Sequence, residues 1–208
     1  MPILLRRKML FVIALIVLAN CADLISTYLA SPDLANEWNV LERNFHLGWA
    51  GLIVAKTIGG LLAAIGYAYY LQQRDRCYPP AGVSPAEFRR HFSFGRQVSV
   101  AQMWSGMPFG RHLGVNLGYF WAGMQALVLW VALDNMLLRE GIVFPLRYWS
   151  EMAYHLLQSG VVAIVVLWRF YNGNYRRYRC LTAPTQLLVK DSKPRTSELP
   201  EALSNSAV

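Results

Sequence analysis

The chain has 208 residues, 55% of them apolar and 15% charged, with a formal net charge of +8. Soluble domains carry about 25% charged residues, and here the charges cluster at the ends of long uncharged runs, which excludes an ordinary water-soluble globule. No zinc-finger, helix-turn-helix or RNA-binding signature accompanies the excess of Arg and Lys, so a nucleic-acid partner is excluded too.

The first apolar run is 9–30, behind Arg6, Arg7 and Lys8. At 1.5 Å per residue, about 20 helical residues cross a hydrocarbon core roughly 30 Å thick. Ser31 and Pro32 end the run. A basic start before an apolar stretch also describes a secretory signal, and Leu18-Ala19-Asn20 before Cys21 loosely resembles a lipoprotein cleavage site. Asn20 is too large and polar for such a site, and the run exceeds the usual apolar core of 7–15 residues. An uncleaved span is expected.

Further spans are expected at 48–71, 115–138 and 152–171. With the N-terminus inside, sixteen of the 20 Lys and Arg residues fall inside and three outside, with Lys56 inside a span. The positive-inside rule then places both termini in the cytoplasm of a multi-pass protein of the inner (plasma) membrane. Anionic headgroups at the cytoplasmic face are the partners this charge distribution suits. Tyr69, Tyr70, Tyr148, Trp149, Trp168 and Tyr171 stand near span ends, as interfacial aromatics do. The expected architecture is all-α: an integral membrane four-helix bundle.

Residues 77–114 are too polar to span and are expected to form a cytoplasmic loop. Within it Ser84-Pro85-Ala86-Glu87 reads as a helix start, with a Ser cap, Pro at the first position and a capping-box Glu. Phe88 and Phe92 then share a face beside Arg89 and Arg90, which suits a short helix lying on the inner membrane surface, with a plain loop as the alternative. The segment 181–208, rich in Ser, Pro, Lys and Glu, is expected to be a disordered tail.

Small residues recur every four positions at Ala55, Gly59 and Ala63 on the second span, and at Gly114, Gly118, Ala122 and Ala126 on the third. Such spacing lets helix backbones approach closely. The cysteines Cys21, Cys77 and Cys180 have no metal spacing, and their odd number argues against a disulfide framework.

The ionisable residues within the spans all fall in the outer half. Asp23 and Lys56 lie at matching depths, roughly 10–12 Å below the outer surface. Asp134 and His155 lie nearer that surface. A lone charge in hydrocarbon is costly, so these groups should face one another. Asn20, Asp23 and Thr27 share one helix face, as do His155, Gln158 and Ser159. The loop after the first span adds Glu37, Asn39, Glu42, Asn44 and His46, which could fold down over the site. The expected intramembrane site, opening outward, comprises Asp23, Lys56, Glu37, Asn39, Thr27, Asn20, His155 and Asp134. The bland alternative is an Asp23–Lys56 ion pair that fixes helix register.

No catalytic residues, metal ligands or cofactor are expected: GxSxG, HExxH, P-loop and dinucleotide fingerprints are absent. His46 and His155 are poorly placed as axial haem ligands, since His46 falls at a span end.

The series Asp23-x-x-x-Thr27, Glu37-x-Asn39, Gly48 and Lys56 resembles the Asp, Thr, Glu-x-Asn-Pro, Gly, Lys motif of an uncharacterised family of small bacterial and archaeal membrane proteins. Val40 stands where that family has Pro, and the resemblance covers about residues 20–60. It implies that Asp23, Glu37, Asn39 and Lys56 belong together on a helical hairpin, and it implies no activity. Three functions remain open: an accessory subunit of a larger membrane complex or a module with a polar site opening to the outside, an ion or small-solute transport component, and a membrane-embedded enzyme acting at the outer leaflet. Partner membrane proteins or self-association are expected.

Overall fold

The computed structural model describes residues 3–34, 48–96, 98–99 and 110–192, and every regular element among them is helical. Helix α1 (Ile3–Ala30) holds no Gly or Pro, and Ser31 closes it with a backbone bond to Thr27 O of 2.8 Å. Helix α2 (Gly48–Gln73) runs back beside it and tightens into a 3-10 turn, Arg74–Cys77. Their adjoining ends are tied by Trp49, whose indole N–H donates to Pro32 O at 2.8 Å while its ring meets Tyr28 edge-on.

Helix α3 (Pro85–Phe94) starts at the expected capping box: Ser84 Oγ accepts from Glu87 N, and Glu87 Oε2 accepts from Ser84 N. Gly95 ends it in the left-handed conformation at φ 73°. A Cβ there would stand 2.9 Å from the His112 ring, so glycine is required twice over.

The third long segment is helix α4 (Gly110–Gly123) followed after Met124 by helix α5 (Gln125–Arg139). Short α6 (Pro145–Trp149) leads into α7 (Glu151–Ser192), one 42-residue helix. Four stretches, Leu5–Ala30, Gly48–Cys77, Gly110–Arg139 and Glu151–Ala183, are long and apolar enough to cross a membrane. Large apolar side chains such as Phe11, Leu61, Ile65, Leu156 and Ile164 lie exposed on them.

Helix α1 packs along α5 and against α2, α2 packs along α4, and α7 touches α4 and α5. The tightest crossing joins α2 to α4, where a Cβ on Gly118 would stand 2.1 Å from the carbonyl oxygen of Gly66. The expected seam on α4 is therefore real at Gly118, and also at Gly114, which faces the Tyr69 ring. Gly59 is different, because a Cβ there would meet nothing within 4 Å. The close approach on α2 falls at Gly66, seven residues farther along.

Two expectations change. Helix α3 exists, but Phe88 and Phe92 are wholly buried rather than turned toward a membrane surface. They stack on each other and contact Tyr78, Tyr178 and Phe170. The apolar face of α3 is thus a protein contact, reached because α7 runs on past the expected span end at Tyr171. Disorder expected from residue 181 is replaced by helix through Ser192; residues 193–208 lie outside the described set. Phe170, Asn174 and Tyr178 recur at four-residue spacing, and this packed stripe holds the extension.

A buried cluster gathers Tyr70, Leu71, Cys77, Phe88, Phe92, Val115, Phe170 and Tyr178. It sits at the basic end, where α1 begins, α2 ends and α4 begins. The opposite, far end carries the Asp23 region and α6.

Candidate functional site: a polar seam and an acidic clamp

Helix α1 presents its polar residues to two neighbours. Asn20 donates through Nδ2 to Ile16 O on its own helix at 2.8 Å and to Gln125 Oε1 on α5 at 2.9 Å. One turn on, Asp23, only 3% exposed, forms an ion pair with Lys56 of α2. Ser26 Oγ donates to Asp23 O at 2.9 Å, and Asn135 Nδ2 of α5 reaches Ser26 Oγ and Thr27 Oγ1, each at 3.4 Å. Three rungs in succession therefore stitch α1 to α5, to α2 and to α5 again. A buried polar group is costly unless paired, and each of these has its counterpart within the chain.

Asp134 belongs to a separate cluster. It is 4% exposed and accepts from Arg147 Nη1 at 2.7 Å and from Tyr154 Oη at 2.7 Å. Arg147 Nη2 also donates to Glu151 Oε1 at 2.8 Å, and the guanidinium lies 5.9 Å from the Tyr154 ring centre. Short α6 carries Arg147 into this position between two carboxylates, which hold the fork of its guanidinium from both sides. His155 turns to Gln158, with Nδ1 and Oε1 3.2 Å apart.

Of the eight expected site residues, Asn20, Asp23, Thr27 and Lys56 line the α1 seam. Asp134 serves the acidic clamp instead, and His155 pairs along its own helix. Glu37 and Asn39 lie outside the described residues. No group of three or more His, Cys, Asp or Glu that could hold a metal ion occurs among the described residues. All three cysteines are free.

A third polar network was not anticipated from the sequence. Asn174, 1% exposed, donates to Phe170 O at 2.8 Å and accepts through Oδ1 from the hydroxyls of Tyr70 at 3.1 Å and Tyr78 at 3.2 Å. Beside it Arg177 grips Asp75 with two bonds of 2.8 and 2.7 Å, and Tyr178 donates to Pro80 O at 2.7 Å. Burial raises the Tyr78 hydroxyl above its ordinary pKa, so it remains a donor to Asn174. The signal available in the sequence was the aromatic stripe itself, interrupted by one Asn, running past a nominal span end.

Comparison with known family models, with curated proteins and with solved structures finds no match.

Proposed function

We propose that the chain is a multi-pass protein of the inner (plasma) membrane, with both termini in the cytoplasm, acting as an accessory subunit of a larger membrane complex. One observation carries this reading: the charged groups buried at the far end are closed on one another within the chain, Asp23 with Lys56 and Asp134 with Arg147. Paired in this way, they serve to lock helix register, which is the best-attested use of buried polar pairs. Between their charged ends the long helices expose large apolar side chains, including Trp121, Trp130 and Trp168, and offer partners and lipid a broad contact. On this orientation the basic end faces anionic cytoplasmic headgroups.

Extraction in mild detergent followed by affinity capture and mass spectrometry tests the reading. Stoichiometric membrane-protein partners are expected, and their loss on Asp23→Asn should track loss of assembly. A chain that emerges alone and monodisperse defeats it.

A second reading, a transport component, draws on one feature. The Lys56 side chain is 23% exposed while its partner Asp23 is 4% exposed, so part of the Lys56 side chain reaches the outside of the seam. Purified protein in liposomes would then show ion or proton flux that Lys56→Met abolishes.

A further inference from the structure

The third long segment changes partner at its middle. Helix α4 packs along α2, and α5 packs along α1. Met124 marks the switch, where Leu127 N donates to Met124 O at 2.9 Å in a tightened turn between the two helices. A crevice of about 250 Å³ opens there, lined by Leu15, Ile16, Tyr67, Tyr119, Gln125 and Ala126. Leu15, 37% exposed, and the exposed Ala126 stand at its lateral mouth. Its polar side is the Gln125 amide. Oε1 is held by Asn20 Nδ2 at 2.9 Å. Nε2, the other arm of the same planar group, donates to nothing among the described residues. Unlike Gln158 Nε2 it is not sealed off, and the open space beside it is the crevice. The Tyr67 hydroxyl, also on the lining, makes no hydrogen bond among the described residues either.

Depth decides what can meet that donor. Gln125 is the sixteenth of the 30 residues in Gly110–Arg139, so on the membrane reading above it lies near the bilayer midplane. Phospholipid ester carbonyls stay at the hydrocarbon boundary, ~15 Å away across half of a core roughly 30 Å thick, and acyl tails carry no acceptor. An amide donor left facing hydrocarbon is costly. The molecule that relieves it must be neutral, apolar enough to sink to the midplane, and equipped with a carbonyl. A cavity of ~150 Å³ holds one benzene ring, so about 250 Å³ suits one substituted six-membered ring, with a tail leaving past Leu15 and Ala126. We propose that the crevice binds the ring of a lipid-soluble quinone, one carbonyl accepting from Gln125 Nε2 and the ring lying against Tyr67 and Tyr119. Those two rings, with centroids 6.5 Å apart and planes inclined at 43°, form an aromatic corner for it. The proposal rests on the membrane reading.

The full-length protein, reconstituted in phosphatidylethanolamine and phosphatidylglycerol vesicles, is illuminated with an azidobenzoquinone carrying a short isoprenoid tail, and the labelled peptides are mapped. Saturable labelling confined to residues 12–16, Tyr67 and residues 119–129 is expected. A quinone with the same tail and no azide should protect. The same tail on a benzene ring without carbonyls should protect only at roughly fivefold higher concentration, the factor one neutral hydrogen bond supplies. Gln125→Leu should remove that difference, and Ala126→Phe, on the exposed rim, should block the mouth and abolish labelling. The comparison of the two competitors reads the site in the wild-type protein even if either variant fails to fold. Equal protection by the quinone and the carbonyl-free ring, labelling that does not saturate, or labelling spread evenly over the lipid-facing helices overturns the proposal. Failure of the chain to enter the vesicles would instead strike the membrane reading itself.

Discussion

Asp134 and Asn135 are adjacent on α5 and serve opposite flanks: Asp134 accepts from Arg147 and Tyr154 beside α7, while Asn135 donates to Ser26 and Thr27 on α1. Helix α5 thereby joins the acidic clamp to the polar seam, and a rotation that improved one contact would break the other. Substitutions at the two positions should separate. Asn135→Ala removes two long bonds and is expected to lower stability by about 1 kcal/mol. Asp134→Asn leaves Arg147 with one carboxylate and is expected to cost about 3 kcal/mol, toward the lower end for a broken buried pair. Unfolding of the detergent-solubilised protein in graded SDS reads both.

The Asp23–Lys56 pair calls for a double-mutant cycle. Either single change, Asp23→Leu or Lys56→Leu, strands a charge inside the helix contact. A loss of about 3 kcal/mol is expected for each, less at Asp23→Leu, since the Lys56 side chain is 23% exposed and can snorkel toward the outer interface. The double variant should recover most of the loss, because two apolar side chains of similar volume replace a pair whose desolvation offset much of its attraction. Additive losses in the cycle would mean that the two residues are not energetically coupled.

Two of the three glycines expected to mark seams, Gly118 and Gly59, give a sharper contrast. A methyl on Gly118 would collide with the backbone of Gly66, which has no side chain to swing away. Gly118→Ala should therefore separate α2 from α4 and destabilise by about 3 kcal/mol or more. Gly59→Ala meets empty space and should be neutral or stabilising by up to about 1 kcal/mol through helix propensity. Thermal unfolding of the two variants side by side decides the point.

That contrast also shows what the sequence could convey. Helical spans, their limits near Ala30 and Gly48, and the capping box at Ser84 follow from local chemistry, which the chain states residue by residue. Which glycine of a repeated series touches another backbone depends on the rotation of α2 about its own axis, and spacing alone is silent on rotation. The same holds at the site. Matching depth was enough to bring Asp23 to Lys56. Depth also grouped Asp134 with them, but azimuth sends it to the opposite flank of α5, where Arg147 arrives on a short helix that no periodicity announces. The Asn174 network escaped notice because the hydropathy of α7 falls after Tyr171, while the packing partners that sustain the helix lie about a hundred residues earlier, at Tyr70 and Tyr78.

Asn174 is expected to be the keystone of that extension. Asn174→Leu preserves volume but leaves the hydroxyls of Tyr70 and Tyr78 without their shared acceptor. Burying those donors unpaired should cost about 3 kcal/mol in all. The effect should also be local: amide hydrogen exchange over 170–183 and over α3 is expected to rise, while exchange around Asp23 stays unchanged.

The last expectation concerns pH. His91 on α3 has its pKa lowered below the ordinary 6.5, first by burial and then by the neighbouring His112, whose ring centre lies 6.2 Å away. The unfolded chain therefore takes up the proton before the folded one does as pH falls. Stability contributed by neutral His91 is complete above about 6.5 and is lost progressively as pH drops below that value toward the lowered folded pKa. Unfolding midpoints measured between about pH 7.5 and pH 5 should decline across this window. His91→Gln, which cannot be protonated there, should flatten the decline without shifting the midpoint at the alkaline end. An unchanged slope in that variant would place the pH response in another group.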